Sequence, residues 1–533
     1  METQGVSQPT ENSPVFTERA VRWLGIILAI GCLVRLMAAY IQPAFIDEGY
    51  VYYVAKSGPS QAIETLKIDA HPPTFNILVY PLVVSTANIF LLRLPMVGIS
   101  IMTVFFSFLL LRRFYGETDS LLLTALYALS YELIITDAQL RTYGPLTWCL
   151  SAVWLGMLDI YRSGSPYPSF ARLPLCVRWG LFFLCGCAGA CLHYLGVLSL
   201  AACALCSLFL PRGVRGSAFC CLAGGALPAC FWLAWCRLTS GFVGEPIPAG
   251  FTMSHFNSVF NIPLQLLNLD ASLLPLLFGS AAGGEFIKYA AHYVLCPLGA
   301  AALWVGFGLG WYRLAKQRAW EVSFLGLNLL FPPCALFAAC VLGKLAYSQT
   351  RYALPMTVPF IIVLFYGLNQ VSRRQAQCFF LGFSALLMAC FPFCPALWNQ
   401  SWRDTLSYLE SIKRPNDIIA VCPAYTGYSF ALDYDPEHIA FEFYEGYQVR
   451  MVQQPSPGKT PVFLLDPKMA GPELLKDLCG YRLILLMCQE KAYKESAALL
   501  FWLDRYYTLV GEHHFDSIND WADVNTYVLE RKP

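Results

Sequence analysis

The sequence predicts a polytopic α-helical membrane protein of about eleven transmembrane helices, with a C-terminal α/β domain outside the cytoplasm. Three observations predict this. First, 57% of the 533 residues are hydrophobic and only 13% charged, about half the charge of a soluble domain. Second, a mean hydropathy of +0.51 over this length exceeds what one soluble core can hide. Third, the charge is unevenly distributed. From residue 400 onward there are 13 Lys/Arg against 19 Asp/Glu, whereas the preceding residues carry 23 against 16. A soluble enzyme, a disordered chain and a fibrous protein are thereby excluded. The net charge of +1 leaves no nucleic-acid footprint.

Residues 1–16 are polar and Ser/Pro-rich and read as a short disordered cytoplasmic arm. The apolar run at about 22–41 is too long for a signal peptide and has no small-residue cleavage site, so it reads as a retained helix. Further spans are expected near 94–111, 119–136, 143–161, 178–194, 195–210, 217–236, 289–311, 321–343, 352–370 and 376–397. Basic residues gather in alternate short loops: Arg112/Arg113, Arg162/Arg172/Arg178, Arg212/Arg215, Arg313/Lys316/Arg318 and Arg373/Arg374. Together with Arg19 and Arg22 they fall on one side if the N-terminus is cytoplasmic. This places the acidic tail outside.

Two outer segments, 42–93 and 237–288, are too long to be mere connectors. Phe75–Leu92, broken by Pro81, reads as a helix along the interface, because counting it as a span would reverse every later Arg cluster. These loops belong with the membrane part, 17–399, and the tail domain is 400–533. In the tail, Arg403–Lys413 has amphipathic helical spacing. Asp417–Val421, Ile439–Tyr444, Pro461–Leu465, Leu483–Met487 and Tyr507–Glu512 read as strands, separated by helical Pro472–Leu478 and Lys491–Tyr506. Of 21 cysteines, 18 precede residue 400, mostly inside apolar runs where they act as small hydrophobes. No spacing suggests a zinc module or a disulfide scaffold.

In so apolar a chain, ionisable residues near the membrane are functional candidates. They concentrate in three places on the outer side. The first is Phe45-Ile46-Asp47-Glu48-Gly49-Tyr50, followed by Asp69-Ala70-His71-Pro72-Pro73. A carboxylate in a low-dielectric cleft at a helix exit can be tuned to accept a proton from a hydroxyl. The plain alternatives are solvated acids at a membrane boundary, a helix cap, and a rigid turn carrying a structural His71. The second is Thr136-Asp137-Ala138-Gln139-Leu140-Arg141-Thr142-Tyr143, whose acid and base could simply pair to close a hairpin. The third is Lys344, Tyr347, Gln349, Arg351 and Tyr352. Its two cations suit a phosphate, or equally interfacial snorkelling. His71, Tyr143, Tyr347 and Tyr352 are the neighbouring candidates for holding substrate. Arg35, inside the first span, either reaches the outer cavity or snorkels.

In this order the motifs resemble the GT-C class of integral-membrane glycosyltransferases, and within it the protein O-mannosyltransferase and lipid A aminoarabinose transferase group. The likeness runs best over residues 20–165, through Asp47-Glu48, His71-Pro72-Pro73, Leu92-Arg93-Leu94-Pro95 and Arg141-Thr142-Tyr143. It resumes at Arg351-Tyr352 with Pro355 and Pro359, and again from Trp402-Arg403 to Pro415-Asn416-Asp417. Gly49 departs from the pattern, since a larger residue commonly follows the acidic pair. Residues 200–340 carry no motif that aligns.

The resemblance implies inverting transfer of a sugar from a polyprenyl-phosphate carrier to an acceptor hydroxyl outside the cytoplasm. By the same analogy Asp47 is the general base with Glu48 in support, and Asp137 matches a second-loop acid. Arg351, with Arg141 or Lys344, holds the donor phosphate. Some members use a divalent cation, but no convincing metal-ligand spacing marks one here. The expected partners are membrane lipids, the lipid-linked donor and an acceptor that is a protein, lipid or glycan. The expected location is a bacterial inner membrane, although an ER membrane would obey the same physics. A polymerase or ligase of lipid-linked glycans is the alternative enzyme class. A transporter or flippase is the non-enzyme alternative, against which stands the absence of internal repeats.

Overall fold

A computed structural model describes residues 16–69, 71–168, 173–240, 296–341, 354–390, 392, 402–443, 449–465, 481–488, 494–515 and 524–532. The first helix, α1 (Glu18–Ile41), starts where Thr17 accepts the Ala20 N–H at 3.1 Å. Its buried positions Leu24, Gly31, Arg35 and Ala38 form one stripe, while Ile26, Ile30, Leu33 and Tyr40 are exposed. Small and polar residues turned inward with large apolar ones outward is the pattern of a helix facing lipid.

The first segment expected on the outer side folds into α2 (Ile46–Lys56), α3 (Pro59–Asp69) and α4 (Thr74–Ser85). At 12 residues with Pro81 inside it, α4 is too short to cross a bilayer. The interfacial helix expected over Phe75–Leu92 is split. Asn88 caps a new helix, α5 (Ile89–Leu111), by accepting the Phe90 N–H at 3.0 Å. Arg93 thus lies inside a membrane helix rather than before one.

Next come α6 (Glu117–Ala128) and α7 (Tyr131–Asp137), bent by 58° where one straight span was expected. They are followed by α8 (Tyr143–Ser163), α9 (Leu175–Leu192), α10 (Tyr194–Ser207) and α11 (Arg212–Ser240). Beyond residues 241–295 lie α12 (Cys296–Gln317), α13 (Ala319–Val341), α14 (Thr357–Tyr366) and α15 (Gln370–Cys390). Among the described residues, α1, α5, α9 and α11 are long and apolar enough to cross a membrane, and the bent α6–α7 pair makes a fifth candidate. The expectation of about eleven spans rests also on helices outside that set, such as α8 and α10.

The tail opens with α16 (Trp402–Ile412) and β1 (Asp417–Cys422), then α17 (Gly427–Tyr434), β2 (Ala440–Phe443), β3 (Val449–Gln453) and β4 (Val462–Leu464). It closes with β5 (Arg482–Cys488), α18 (Lys494–Tyr506), β6 (Tyr507–Phe515) and β7 (Val524–Arg531). A five-stranded sheet has the order β4-β1-β5-β7-β6. Its first three strands are parallel, and β7 pairs antiparallel with β5 and β6. Strands β2 and β3 form a separate antiparallel pair. The expected Pro472–Leu478 helix lies outside the described residues.

The central strands read DIIAVC and RLILLMC, as befits strands covered on both faces. Alternation sorts their side chains. Ile418, Ala420, Leu483 and Leu485 pack with Leu499 and Leu503 of α18. Ile419, Val421, Ile484 and Leu486 face the other way, into a cluster that includes Ile46, Tyr52, Tyr53, Phe75 and Val79 of the outer segment. Tail and outer segment therefore share one hydrophobic core.

At the opposite end of α5, about 34 Å away by helical rise, the basic residues find partners. Arg113 meets Asp159 at 2.6 Å, Arg162 meets Glu321 at 3.5 Å, and Arg373 meets Asp119 at 2.9 Å. Arg162 and Arg318 both donate to the Arg113 carbonyl at 2.8 Å. Four of the basic loops thus converge on one end of the bundle, and the tail sits at the other.

The basic end is expected to be cytoplasmic. A cysteine introduced at exposed Val510 (Val510→Cys) should react with an impermeant thiol reagent in intact cells above the parent protein's background. Reaction only after the membrane is opened would reverse the orientation.

Candidate active site

Pro43 cannot continue α1, so the chain runs extended through Pro43–Phe45 before α2 begins. Glu48 sits in the first turn of α2, and its Oε2 accepts the Phe45 N–H at 3.0 Å. The same carboxylate takes Arg93 side-on, with Nε to Oε1 at 2.9 Å and Nη2 to Oε2 at 2.5 Å. It also accepts the Leu140 N–H at 2.7 Å.

The rest of the Arg93 guanidinium donates to the carbonyls of Ala39 (2.9 Å), Gln42 (2.7 Å) and Pro43 (2.9 Å). All five guanidinium N–H groups are used, three of them on carbonyls at or just past the end of α1 that helical bonding leaves orphaned. The side chains are 1% and 0% exposed. Burial of such a pair is tolerable only because the charges and their remaining hydrogen-bonding capacity are met.

Successive helical residues point about 100° apart, so Asp47 leaves α2 in another direction. It pairs with Arg141, the residue after Leu140, and the two side chains are 30% and 13% exposed. The turn after α7 is thus docked twice on the first turn of α2, through a dry contact at Glu48 and a solvent-reaching one at Asp47.

Asp137 belongs to a different, buried set. Ser100 of α5 donates to its Oδ2 at 2.5 Å, and Arg35 of α1 stands 3.7 Å away. Arg35 in turn donates to Ser100 Oγ at 2.6 Å and to the Ala128 carbonyl at 2.7 Å. That carbonyl ends α6, so Arg35 caps the bend between α6 and α7. Asp137 and Arg141 therefore do not close their hairpin on each other, and Arg35 neither snorkels nor reaches the cavity. Each finds its partner on another helix.

Beside Arg141 lies a group of rings. Its guanidinium covers the Tyr143 ring at 4.9 Å. Tyr143 lies 5.5 Å from His193, and His71 lies 6.1 Å from His193 and 6.4 Å from Tyr194, between ring centroids. His193 Nδ1 accepts the Leu195 N–H at 3.1 Å and so caps α10. Imidazole and phenol groups in this arrangement can donate to sugar hydroxyls or phosphate oxygens, and their faces can pack on a sugar ring.

His193 and Tyr194 were not anticipated. The signal was available, since a His-Tyr pair interrupts the apolar stretch 178–210 at the junction of two expected spans. Arg93 was visible only as part of a motif. Lys344, Tyr347, Arg351 and Tyr352 lie outside the described residues. Among the described residues, no group of three or more His, Cys, Asp and Glu could hold a metal ion.

The fold is similar to that of GT-C glycosyltransferases of known structure. What carries this is ArnT from Cupriavidus metallidurans in the apo state, which superposes with a TM-score of 0.50 at 12% identity over 96% of this chain and 98% of that one. ArnT bound to undecaprenyl phosphate gives 0.47 at 12% identity, over 95% and 98%. The Archaeoglobus fulgidus oligosaccharyltransferase tethered with an acceptor peptide gives 0.41 at 11% identity, over 96% of this chain and 74% of that one. No family model and no curated protein sequence matches. At such identities the likeness speaks for the fold alone.

Removing one member of the buried pair should be costly. Arg93→Ala strands the Glu48 carboxylate and three carbonyls, and should lower folding stability by about 3–5 kcal/mol. The check is thermal unfolding in detergent. A midpoint equal to that of the parent protein would show that the pair does not hold these helices together.

Proposed function

We propose that the protein is an inverting glycosyltransferase that moves a sugar from a polyprenyl-phosphate carrier to an acceptor hydroxyl at the outer membrane face. The supporting observation is the contrast between three neighbouring acids. Glu48 and Asp137 are enclosed by partners, whereas Asp47 pairs with Arg141 at a surface that solvent reaches.

In this reading Asp47 accepts the acceptor's proton as the hydroxyl oxygen attacks the anomeric carbon. The bond from that carbon to the phosphate oxygen breaks, and the phosphate leaves with the electron pair. It needs no proton if cations neutralise it. Arg141 stands beside the base and can turn to the donor phosphate, with Lys344 and Arg351 as the further cations. That exchange of partners leaves Asp47 an effective base only when donor is bound. One base and one face of attack give inversion. His71, Tyr143, His193 and Tyr194 would line the sugar's side of the cleft, with Tyr347 and Tyr352 assigned there from the sequence. Glu48 and Asp137 act by positioning α2 and α7, and no metal is assigned a part.

The test is turnover of the purified protein with a polyprenyl-phosphate sugar. Asp47→Asn keeps the shape but removes the basicity, and should cut turnover by about 10²–10⁴-fold while donor binding persists. Near-normal turnover in Asp47→Asn, with His193→Ala inactive, would move the protein toward the glycan ligase class.

Arg351→Ala should weaken donor binding by about 2–4 kcal/mol, and Arg351→Lys should restore only part, because an ammonium cannot reproduce the guanidinium fork. Donor affinity equal to the parent's in both variants would leave Arg351 a membrane anchor.

A further inference from the structure

Helix α2 has 11 residues, a length at which an isolated helix is barely stable in water. Where Asp47 stands is therefore set by what α2 packs against. The Glu48–Arg93 pair holds one side of it. The other side rests on α17 of the tail domain, at a contact that admits no side chain. A Cβ at Gly49 would lie 2.7 Å from the Ser429 nitrogen, 2.7 Å from the Tyr428 carbonyl carbon and 2.8 Å from its oxygen. The two backbones touch, two residues from the proposed base.

Polar contacts tie both ends of the same face. Asp433, near the end of α17, accepts the Ala44 N–H at 3.0 Å, just before α2. Lys56, at the end of α2, donates to the Pro436 carbonyl at 2.7 Å. Arg403 of α16 donates to the Ile41 carbonyl at 3.0 Å, where α1 ends. Trp402 donates to Ser429 at 2.9 Å and so locks α17 to α16. The Tyr53 ring meets Phe441 edge-on at 4.6 Å. Burial pushes the Asp433 carboxyl up to about 6, against the pull of the Ala44 N–H and of Arg93 and Arg403. A carboxylate is kept in this unfavourable place by what it holds.

We propose that the tail domain is a working part of the active site: α17, docked through Gly49 and Asp433, positions the turn that carries Asp47. This inference rests on the glycosyltransferase reading for its activity readout. It makes Gly49 and Asp433 positioning residues rather than catalytic ones, since Gly49 lies against the Tyr428–Ser429 backbone and Asp433 holds the Ala44 N–H. It also accounts for a glycine at a place where the resembling family commonly has a larger residue.

The experiment uses the full-length protein in detergent or nanodiscs, comparing Gly49→Ala, Asp433→Ala and Asp433→Asn. Gly49→Ala inserts a methyl group where none fits, and Asp433→Ala removes the acceptor of the Ala44 N–H. Each should lower kcat by about 10- to 100-fold, because small displacements of a catalytic group are that costly, with donor KM within about twofold. Asp433→Asn, whose amide oxygen can still accept, should recover most of the rate. Amide hydrogen exchange over Ile46–Lys56 should quicken in Gly49→Ala and Asp433→Ala and return toward the parent in Asp433→Asn.

Should Gly49→Ala fail to fold, the Asp433 pair decides by itself. Parental kcat in Asp433→Ala, or parental exchange over α2 in that variant, would overturn the positioning role. Absence of any sugar transfer by the parent protein would instead overturn the glycosyltransferase reading, and the exchange measurement would still decide the docking.

Discussion

Glu48 and Arg93 meet directly, and the half of the molecule that carries the tail is arranged around that contact. The guanidinium closes the C-terminal end of α1, the carboxylate opens α2, α5 supplies the arginine, and the turn before α8 hangs on the same carboxylate through the Leu140 N–H. Four elements, with contacts spread from Ala39 to Leu140, are brought to one point. A pair this deep contributes little net stability against an apolar substitute. What it contributes is geometry, because a bidentate contact between a planar fork and a carboxylate admits one relative orientation. The neighbouring residues Asp47 and Arg141 inherit that geometry.

A second ion pair does for the membrane interior what the first does at its rim. Arg35, Ser100 and Asp137 join α1, α5 and α7 at a depth where an unmet charge would be expensive. Arg35 also occupies a carbonyl released by the bend after Ala128. The bend of 58° is thus stabilised from outside its own helix. Because α7 ends at Asp137, its direction sets where Arg141 and Tyr143 emerge. The buried Arg35–Asp137 pair within the bundle and the site at its end form one continuous arrangement.

The tail is not a separate bead on the membrane part. One face of its sheet is buried against α18 and the other against the outer segment. The odd-numbered residues of β1 and the even-numbered residues of β5 therefore belong to the same core as α2 and α4. This dependence explains why so short a sequence as Ile46–Lys56 can be a stable helix.

Hydropathy and charge by themselves determined the membrane class, the separate character of the tail, the gathering of arginines at one end and most of the tail's strands. These are properties of local composition and period, which a sequence displays directly. Strand β3, with Arg450 and Gln453 in five residues, and α17, eight residues opening on glycine, were too short or too polar to register. The candidate site was legible as a set of residue types at helix exits, not as a set of roles. Asp47 and Glu48 are adjacent carboxylates of equal standing in sequence. Their difference comes from partners 94 and 45 positions away. Asp137 and Arg141, four residues apart, look like a pair and are not, because each is drawn to a different helix. Only the tertiary structure could decide these pairings, since the energy of a buried charge depends on what surrounds it in space. Gly49 is the same lesson in packing: a missing methyl group matters only when another backbone occupies its place.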